Sequence, residues 1–465
     1  MATTTTWIST QSISHKHDVD ARDAPLLNNI SSFQPFSEEQ ISISEVRAGT
    51  SQVDQTSPRV SVANKFATTQ NALLLHAIKE KYTLVTDHAV PSILHDDEVL
   101  IEVSAIGLNP IDWKAPAFNF GIPDLPWVFG RDLAGTVIKS SSSSSSRLRV
   151  GDLVLVPSTD YRDIRKAAFQ EYAVATHYNA ARIPPTTSVH SGASIGVAYV
   201  AAALALGISF GLDFGLAQNV PGPNLRQILK NLNPHDIPED IRDECLPVSA
   251  ADTERPQKGD WVAIWGASTT TGYIALQLAK LCGLKVICIA DIARHGSRLH
   301  AAGANILVDR HDTNRAVEII RGVTNGRLRF GIDIVGRETA TILEQALASP
   351  SGESDGPHSH SHSHLLGLTG VPKEKNAGII YHAVPIKIFH SSPEIGEGLV
   401  AWLENLLETE ALIPPEVIRN DGGLGGINDA LDILRSGAVG GKRIVVDLNK
   451  TRQYTSQYSI EAVES

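Results

Sequence analysis

The stretch Trp261-Val-Ala-Ile-Trp-Gly-Ala-Ser-Thr-Thr-Thr-Gly272 opens on five apolar residues and closes on a loop bounded by two glycines. A short, uninterrupted apolar run reads as a strand buried on both faces. Tyr273 to Leu281 follows at once, with Ile274, Leu276, Leu278 and Leu281 as the apolar set of a helix. Leu284 to Ile289 is the next buried strand, and Asp291 stands just beyond it. Strand, loop, helix, strand and acid form the arrangement that aims free backbone N–H groups and a helix N-terminus at a pyrophosphate. Gly266 permits the sharp exit from the strand, and Gly272 lets the helix pack close to the sheet. Ser268, Thr269 and Thr270 stand where a G-x-G-x-x-G loop has smaller residues, and their hydroxyls can themselves bond phosphate oxygens. Gly266, Ala267, Ser268, Thr269, Thr270, Thr271 and Gly272 are therefore candidate cofactor-binding residues. Asp291 is placed to bond a ribose 2′-OH, which favours NAD, or to cap the next helix. Arg294, His295 and Arg298 follow closely and suit a 2′-phosphate, which favours NADP. The preference between NADPH and NADH stays open on these residues.

Working outward, Ile306-Leu-Val308, Ile332-Asp-Ile-Val335 and Leu365-Leu-Gly-Leu368 read as further strands separated by helical stretches. Alternating strands and helices predict an α/β chain with a doubly wound parallel sheet over 199–377. Upstream, Glu98 to Ser104, Gly135 to Ile138, Leu153 to Val156 and Ala168 to Val174 predict a β-rich unit over 67–198. Downstream, 378–450 holds a strand-like stretch (Ala383 to Phe389), helices at Gly396 to Leu407 and Ile427 to Ser436, and a closing strand from Arg443 to Asp447. Residues 1–66 are too polar to offset the entropy of ordering and are expected to be disordered, with 451–465 a tail. Two insertions interrupt the pattern. Residues 216–258 carry Pro221, Pro223, Pro234, Pro238 and Pro247, and 351–364 end in His358-Ser-His-Ser-His-Ser-His364. The histidines offer metal-ligating imidazoles, but their composition is that of a loop expansion, as is the serine run from Ser140 to Ser146.

Of 465 residues, 42% are hydrophobic and 20% charged, as in a globular protein, and the formal net charge is −11. No basic patch stands out, which argues against a nucleic-acid partner. The longest apolar stretch, Ala193 to Phe210, is interrupted by Gly196, Gly207 and Ser209 and reads as buried core, so no membrane span is expected. Cys245, Cys282 and Cys288 supply neither a disulfide framework nor a four-cysteine zinc lobe. A cytoplasmic protein acting on a small molecule fits this composition.

Two further runs carry polar groups at strand ends. In Gly107-Leu-Asn-Pro-Ile-Asp-Trp-Lys114, Pro110 fixes a turn and Asn109, Asp112 and Lys114 cluster around it. Gly130-Arg-Asp-Leu-Ala-Gly135 and the pair Gly151-Asp152 follow. With Trp265 to Gly272 and Gly441-Lys-Arg-Ile-Val-Val446, these segments resemble the medium-chain dehydrogenase/reductase superfamily over about residues 70 to 450. Within it the chain looks most like the zinc-free quinone oxidoreductase and fungal trans-enoyl reductase branch. The resemblance implies a GroES-like β-rich catalytic domain, a Rossmann-type cofactor domain and a C-terminal return to the first. Zinc members place a cysteine at the Asn109–Asp112 turn and a histidine where Arg131 stands. This chain has no cysteine before Cys245, so no metal is expected. What remains is NAD(P)H-dependent hydride transfer to an activated C=C bond of an enoyl or enone substrate. A quinone or aldehyde reductase is the alternative, and a non-catalytic cofactor- or partner-binding protein is the alternative of another class. By resemblance, Asn109 and Lys114 line the nicotinamide side of the cleft and Asp112 supports that loop beside the cofactor. Tyr199 is either a proton donor or a buried interdomain tyrosine. The family's habit of pairing cofactor-domain sheets suggests a homodimer.

Overall fold

The computed structural model describes residues 67–141, 146–246, 254–348 and 362–448. The expectations for 1–66, for 451–465 and for most of the serine and histidine tracts lie outside these residues.

The first half is built from β1 (Thr69–Leu75), β2 (Thr83–Ala89), β3 (Glu98–Gly107), α1 (Pro110–Phe118), β4 (Trp127–Val128), β5 (Asp132–Ser140), β6 (Leu153–Pro157), β7 (Tyr172–Thr176) and β8 (Ala181–Arg182). Next come α2 (Val189–Ala193) and α3 (Gly196–Leu204), then α4 (Leu225–Asn231) and α5 (Glu239–Cys245) from the proline-rich insertion. The second half runs β9 (Trp261–Trp265), α6 (Thr270–Leu281), β10 (Lys285–Ala290), α7 (Ile292–Ala301), β11 (Ile306–Asp309), α8 (Thr313–Thr324), β12 (Phe330–Asp333), α9 (Arg337–Glu344), β13 (Ser363–Gly367) and β14 (Ile379–His382). The chain closes with α10 (Ile388–Ser391), α11 (Pro393–Glu408), β15 (Val417–Asn420), α12 (Ile427–Arg435) and β16 (Arg443–Asp447).

Strands β9 to β14 form one parallel sheet in the order β11-β10-β9-β12-β13-β14. The pleat sorts its side chains into two cores. Val262 and Ile264 of β9, with Val286 and Cys288 of β10, pack among residues of α3 and α6. Ala263, Trp265, Ile287 and Ile289 point the other way, among residues of α8 and Leu343 of α9. Burial on both faces is why these strands read as unbroken apolar runs. The mostly antiparallel sheet runs β15-β16-β3-β5-β6-β8, with β7 also on β3, and β2-β1-β4 is a separate three-stranded sheet. Strand β16 pairs with β3 from over 300 residues away in sequence, Val446 opposite Ile106, so the chain's end completes the first sheet.

Three differences from the sequence expectations have local causes. Ala383 to Phe389 is not a strand: Pro385 has no N–H to give a ladder, and the segment turns into α10. The parallel sheet extends to His382 through β14. Strand β13 starts at Ser363, so the last histidine of the tract, His364, lies inside the sheet, 4% exposed. The apolar run Ala193 to Phe210 is buried core, as expected, and ends in one π-helical turn. All three cysteines are buried, and burial pushes each thiol up to about 12. Among the described residues no helix is long and apolar enough to cross a membrane.

Candidate active site

The loop after β9 has the close approach that its glycines foretold. Gly266 sits at φ +88°, a conformation that L side chains rarely adopt. A Cβ at Gly272 would lie 2.5 Å from the Gly266 carbonyl oxygen and 2.8 Å from Ala267 Cα. Thr269 caps α6: its hydroxyl donates to Gly266 O at 2.8 Å and accepts from Gly272 N at 3.1 Å. Ser268, Thr270 and Thr271 are half-buried, and their hydroxyls make no hydrogen bond among the described residues. They and the first N–H groups of α6 remain available to an anion.

At the end of β10, Asp291 caps α7, accepting from Arg294 N at 3.3 Å. Arg294 is exposed, and its guanidinium makes no hydrogen bond among the described residues. Arg298 is engaged differently. It stacks on Tyr273 and donates to Gly441 O at 2.8 Å and to Ser268 O at 2.7 Å. The arginine thus clips the phosphate-type loop to the turn before β16.

Two residues past that turn, Arg443 enters the other half of the site. Its Nη2 donates to Asp132 Oδ2 at 2.7 Å and to Asn109 Oδ1 at 2.6 Å. Asn109 Nδ2 donates to the same carboxylate oxygen at 2.9 Å, and Val197 N donates to Asp132 Oδ1 at 2.6 Å. Arg443, Asp132 and Asn109 therefore close a buried triangle joining β16, β5, the start of α1 and the start of α3. Asn109 is 6% exposed, with both side-chain ends engaged, so the structure gives it a positioning geometry. Its motif was legible, but its partners were not, since Arg443 lies 334 residues away.

Asp112, in the first turn of α1, accepts from Asn109 N at 2.7 Å, and its other oxygen has no partner among the described residues. Burial pushes its carboxyl up to about 7, against the Asn109 N–H and the Arg131 and Arg443 guanidiniums, which favour the charged form. A group whose folded value is raised withdraws stability as pH rises from its unfolded value, about 4, toward 7. Asp112→Asn keeps an acceptor for Asn109 N and removes that dependence. Denaturant melts at pH 4.5 and 7.5 should show wild type losing about 3 kcal/mol relative to the variant across that interval. Parallel pH profiles for the two proteins would show that Asp112 is ionised throughout.

Lys114, one turn into α1, is half-buried and forms no ion pair among the described residues; its ammonium lies 5.7 Å from the Trp113 ring centre. Tyr199 is fully buried on α3, and its hydroxyl donates to Leu399 O at 2.9 Å, so its proton is committed to α11. Sequence reading passed over Tyr161. Its ring lies under Arg131, whose guanidinium carbon is 3.8 Å from the ring centre, and its hydroxyl makes no hydrogen bond among the described residues. Only the stacking reveals it.

The position that would hold a zinc ligand in related metal enzymes is Arg131, a permanent cation. Asn109 offers no thiolate, so the donor set does not fit a catalytic zinc. Among the described residues one acid–histidine group, Asp291, Asp309 and His311, sits half-buried to exposed at the edge of the parallel sheet.

Residues 95–185 match the alcohol dehydrogenase GroES-like domain. A trans-enoyl reductase of Aspergillus niger is 27% identical over 383 residues, covering 77% of this chain and 92% of its own. These similarities support a protein of the medium-chain dehydrogenase/reductase type. A trans-enoyl reductase of Thermothelomyces thermophilus is 27% identical over 411 residues, covering 84% and 98% of the two chains. In fold, a NADPH:quinone reductase structure from Bacillus thuringiensis superposes with TM-score 0.60 at 17% identity, covering 82% of this chain and 99% of its own. The superfamily's two-part architecture accounts for the antiparallel sheet completed by β16 and the parallel sheet carrying the glycine loop.

Proposed function

We propose that the protein is an NAD(P)H-dependent reductase of activated C=C bonds that works without zinc. The observation that carries this reading is the glycine-sealed loop. Gly272 brings α6 against the end of β9, and the free ends of α6 and of Ser268, Thr270 and Thr271 suit a pyrophosphate. The named relatives support the substrate class, an enoyl group, and the Arg131 substitution supports the absence of a metal.

A bound nicotinamide supplies the hydride. The chain's own residues do the rest. The first turn of α6 orients the dinucleotide. The Asn109–Asp132–Arg443 triangle fixes the start of α1 and with it Lys114, a half-buried cation with no ion pair among the described residues. An enone needs no metal, because its β carbon is already electrophilic.

The residues after β10, where a 2′-phosphate would lie, favour NADPH. Asp291 uses its carboxylate as a helix cap, while Arg294 beside it is exposed and its guanidinium has no partner among the described residues. Titrating nicotinamide fluorescence should show NADPH binding at least tenfold tighter than NADH, with Arg294→Ala narrowing the gap. Equal binding of both would remove Arg294 from the site, and binding of neither would overturn the reductase reading.

A further inference from the structure

We propose that Arg131 is the electrophilic residue of the reduction: its guanidinium receives the carbonyl oxygen of the unsaturated substrate and holds the negative charge that develops there. This rests on the reductase reading and names the group that replaces a metal in it.

The geometry is unusual for an arginine. Arg131 is 2% exposed, directly ahead of β5, and its guanidinium makes no hydrogen bond and no ion pair among the described residues. Its contacts are aromatic: the Tyr161 ring at 3.8 Å and the Phe129 ring at 5.5 Å. These rings fix the guanidinium plane without using its N–H groups. Buried arginines ordinarily pair with a carboxylate, because an unpaired buried charge costs several kcal/mol. The neighbouring carboxylates are otherwise engaged. Asp132 is held by Arg443, Asn109 and Val197 N, and Asp112 turns one oxygen to Asn109 N. Orphaned polar atoms collect here: Arg131 Nε, Asp112 Oδ1 and, on the residue whose N–H donates to Arg131 O at 2.7 Å, Ser158 Oγ. A desolvated, aromatic-clamped fork of free donors suits a planar oxygen that becomes anionic.

The chemistry balances. Hydride arriving at the β carbon forms the new C–H bond. The C=C pair shifts to the Cα–C bond, and the carbonyl pair moves onto oxygen, giving an enolate beside Arg131. When C=O re-forms, the α carbon takes a proton from water. The substrate gains one hydride and one proton, and the nicotinamide is oxidised. The guanidinium stays protonated throughout, so it stabilises charge without transferring a proton.

The test compares wild type with R131Q and R131K, each with full-length protein. Turnover is read with NADPH and the crotonyl thioester of N-acetylcysteamine. Binding is read by calorimetry with crotonate, a carboxylate that presents the anionic oxygens of the proposed intermediate. R131Q is expected to lose about 100-fold in kcat, with KM and NADPH affinity within about threefold. Its crotonate binding should weaken at least tenfold, and guanidinium ion in the assay should restore part of its turnover. A kcat within threefold of wild type overturns the proposal. So does a loss of kcat matched by an equal loss of NADPH affinity, because that places Arg131 on the cofactor. If R131Q does not fold, R131K decides: an ammonium keeps the charge without the planar fork, so kcat falls about tenfold while crotonate still binds. Unchanged kcat in R131K overturns the proposal. If wild type binds no nicotinamide, the reductase reading fails by itself. Arg131 as the oxyanion receptor fails separately if wild type does not bind crotonate.

Discussion

Gly272→Val is expected to abolish measurable nicotinamide binding and to lower folding stability. The atoms a side chain would meet are backbone, the Gly266 oxygen at 2.5 Å and Ala267 Cα at 2.8 Å, so no neighbour can swing aside. Accommodation must come from moving α6 away from β9. That motion breaks the Thr269 cap, which spans the same few ångströms between Gly266 O and Gly272 N. It also displaces Ser268, whose carbonyl holds Arg298. The expected result is a loss of NADPH affinity beyond 100-fold and a stability loss of about 1–3 kcal/mol, the usual range for overpacking. Gly272→Ala should fall between wild type and valine. Fluorescence titration reads the first effect and denaturant melts the second. Wild-type affinity in Gly272→Val would mean that the dinucleotide binds elsewhere.

That glycine was legible in the sequence because the signal is local. An apolar pentad, two glycines and an apolar helix periodicity occupy 21 consecutive residues, and each constrains its neighbours. The closing strand Arg443–Asp447 was legible for the same reason, as a β-branched run between polar ends. What the sequence could not show is who meets whom across long separations. Resemblance alone placed Asn109 at the cleft, and nothing local showed that its side chain is tied to Asp132 and Arg443. Tyr199 offered a hydroxyl in the right segment, but its acceptor, Leu399 O, lies 200 residues downstream. His364 read as part of a low-complexity loop. In the sheet it stacks on Phe330, hydrogen bonds to His382 at 2.9 Å and contacts Glu254 of the insertion. Composition describes a tract, whereas burial is decided residue by residue. Tyr161 left no pattern at all, since a single aromatic in a polar turn carries no period.

Removing Arg443 should be the most destabilising single change in the site. Its ion pair with Asp132 is almost completely shielded from water, with 6% and 1% of the two side chains exposed. Such a pair adds little net stability when complete, because desolvating both charges offsets their attraction. Breaking it is different. In Arg443→Met, Asp132 keeps only Asn109 Nδ2 and Val197 N as donors, and Asn109 Oδ1 loses its partner. Leaving one buried charge unpaired costs about 3–5 kcal/mol, read from denaturant melts at neutral pH. Burial already raises the Asp132 carboxyl and Arg443 opposes that rise, so the variant's carboxyl should be raised further. A carboxyl that accepts a proton in the folded state loses its unpaired charge, so the deficit should shrink as pH falls through that raised value. Asp132→Asn added to Arg443→Met should recover part of the loss at neutral pH by removing the stranded charge. Function should fall with stability, since the same triangle anchors the start of α1 and therefore Lys114. A neutral-pH loss below about 1 kcal/mol, or no recovery in the double variant, would mean that water reaches Asp132 and that the triangle does not hold the two halves of the site in register.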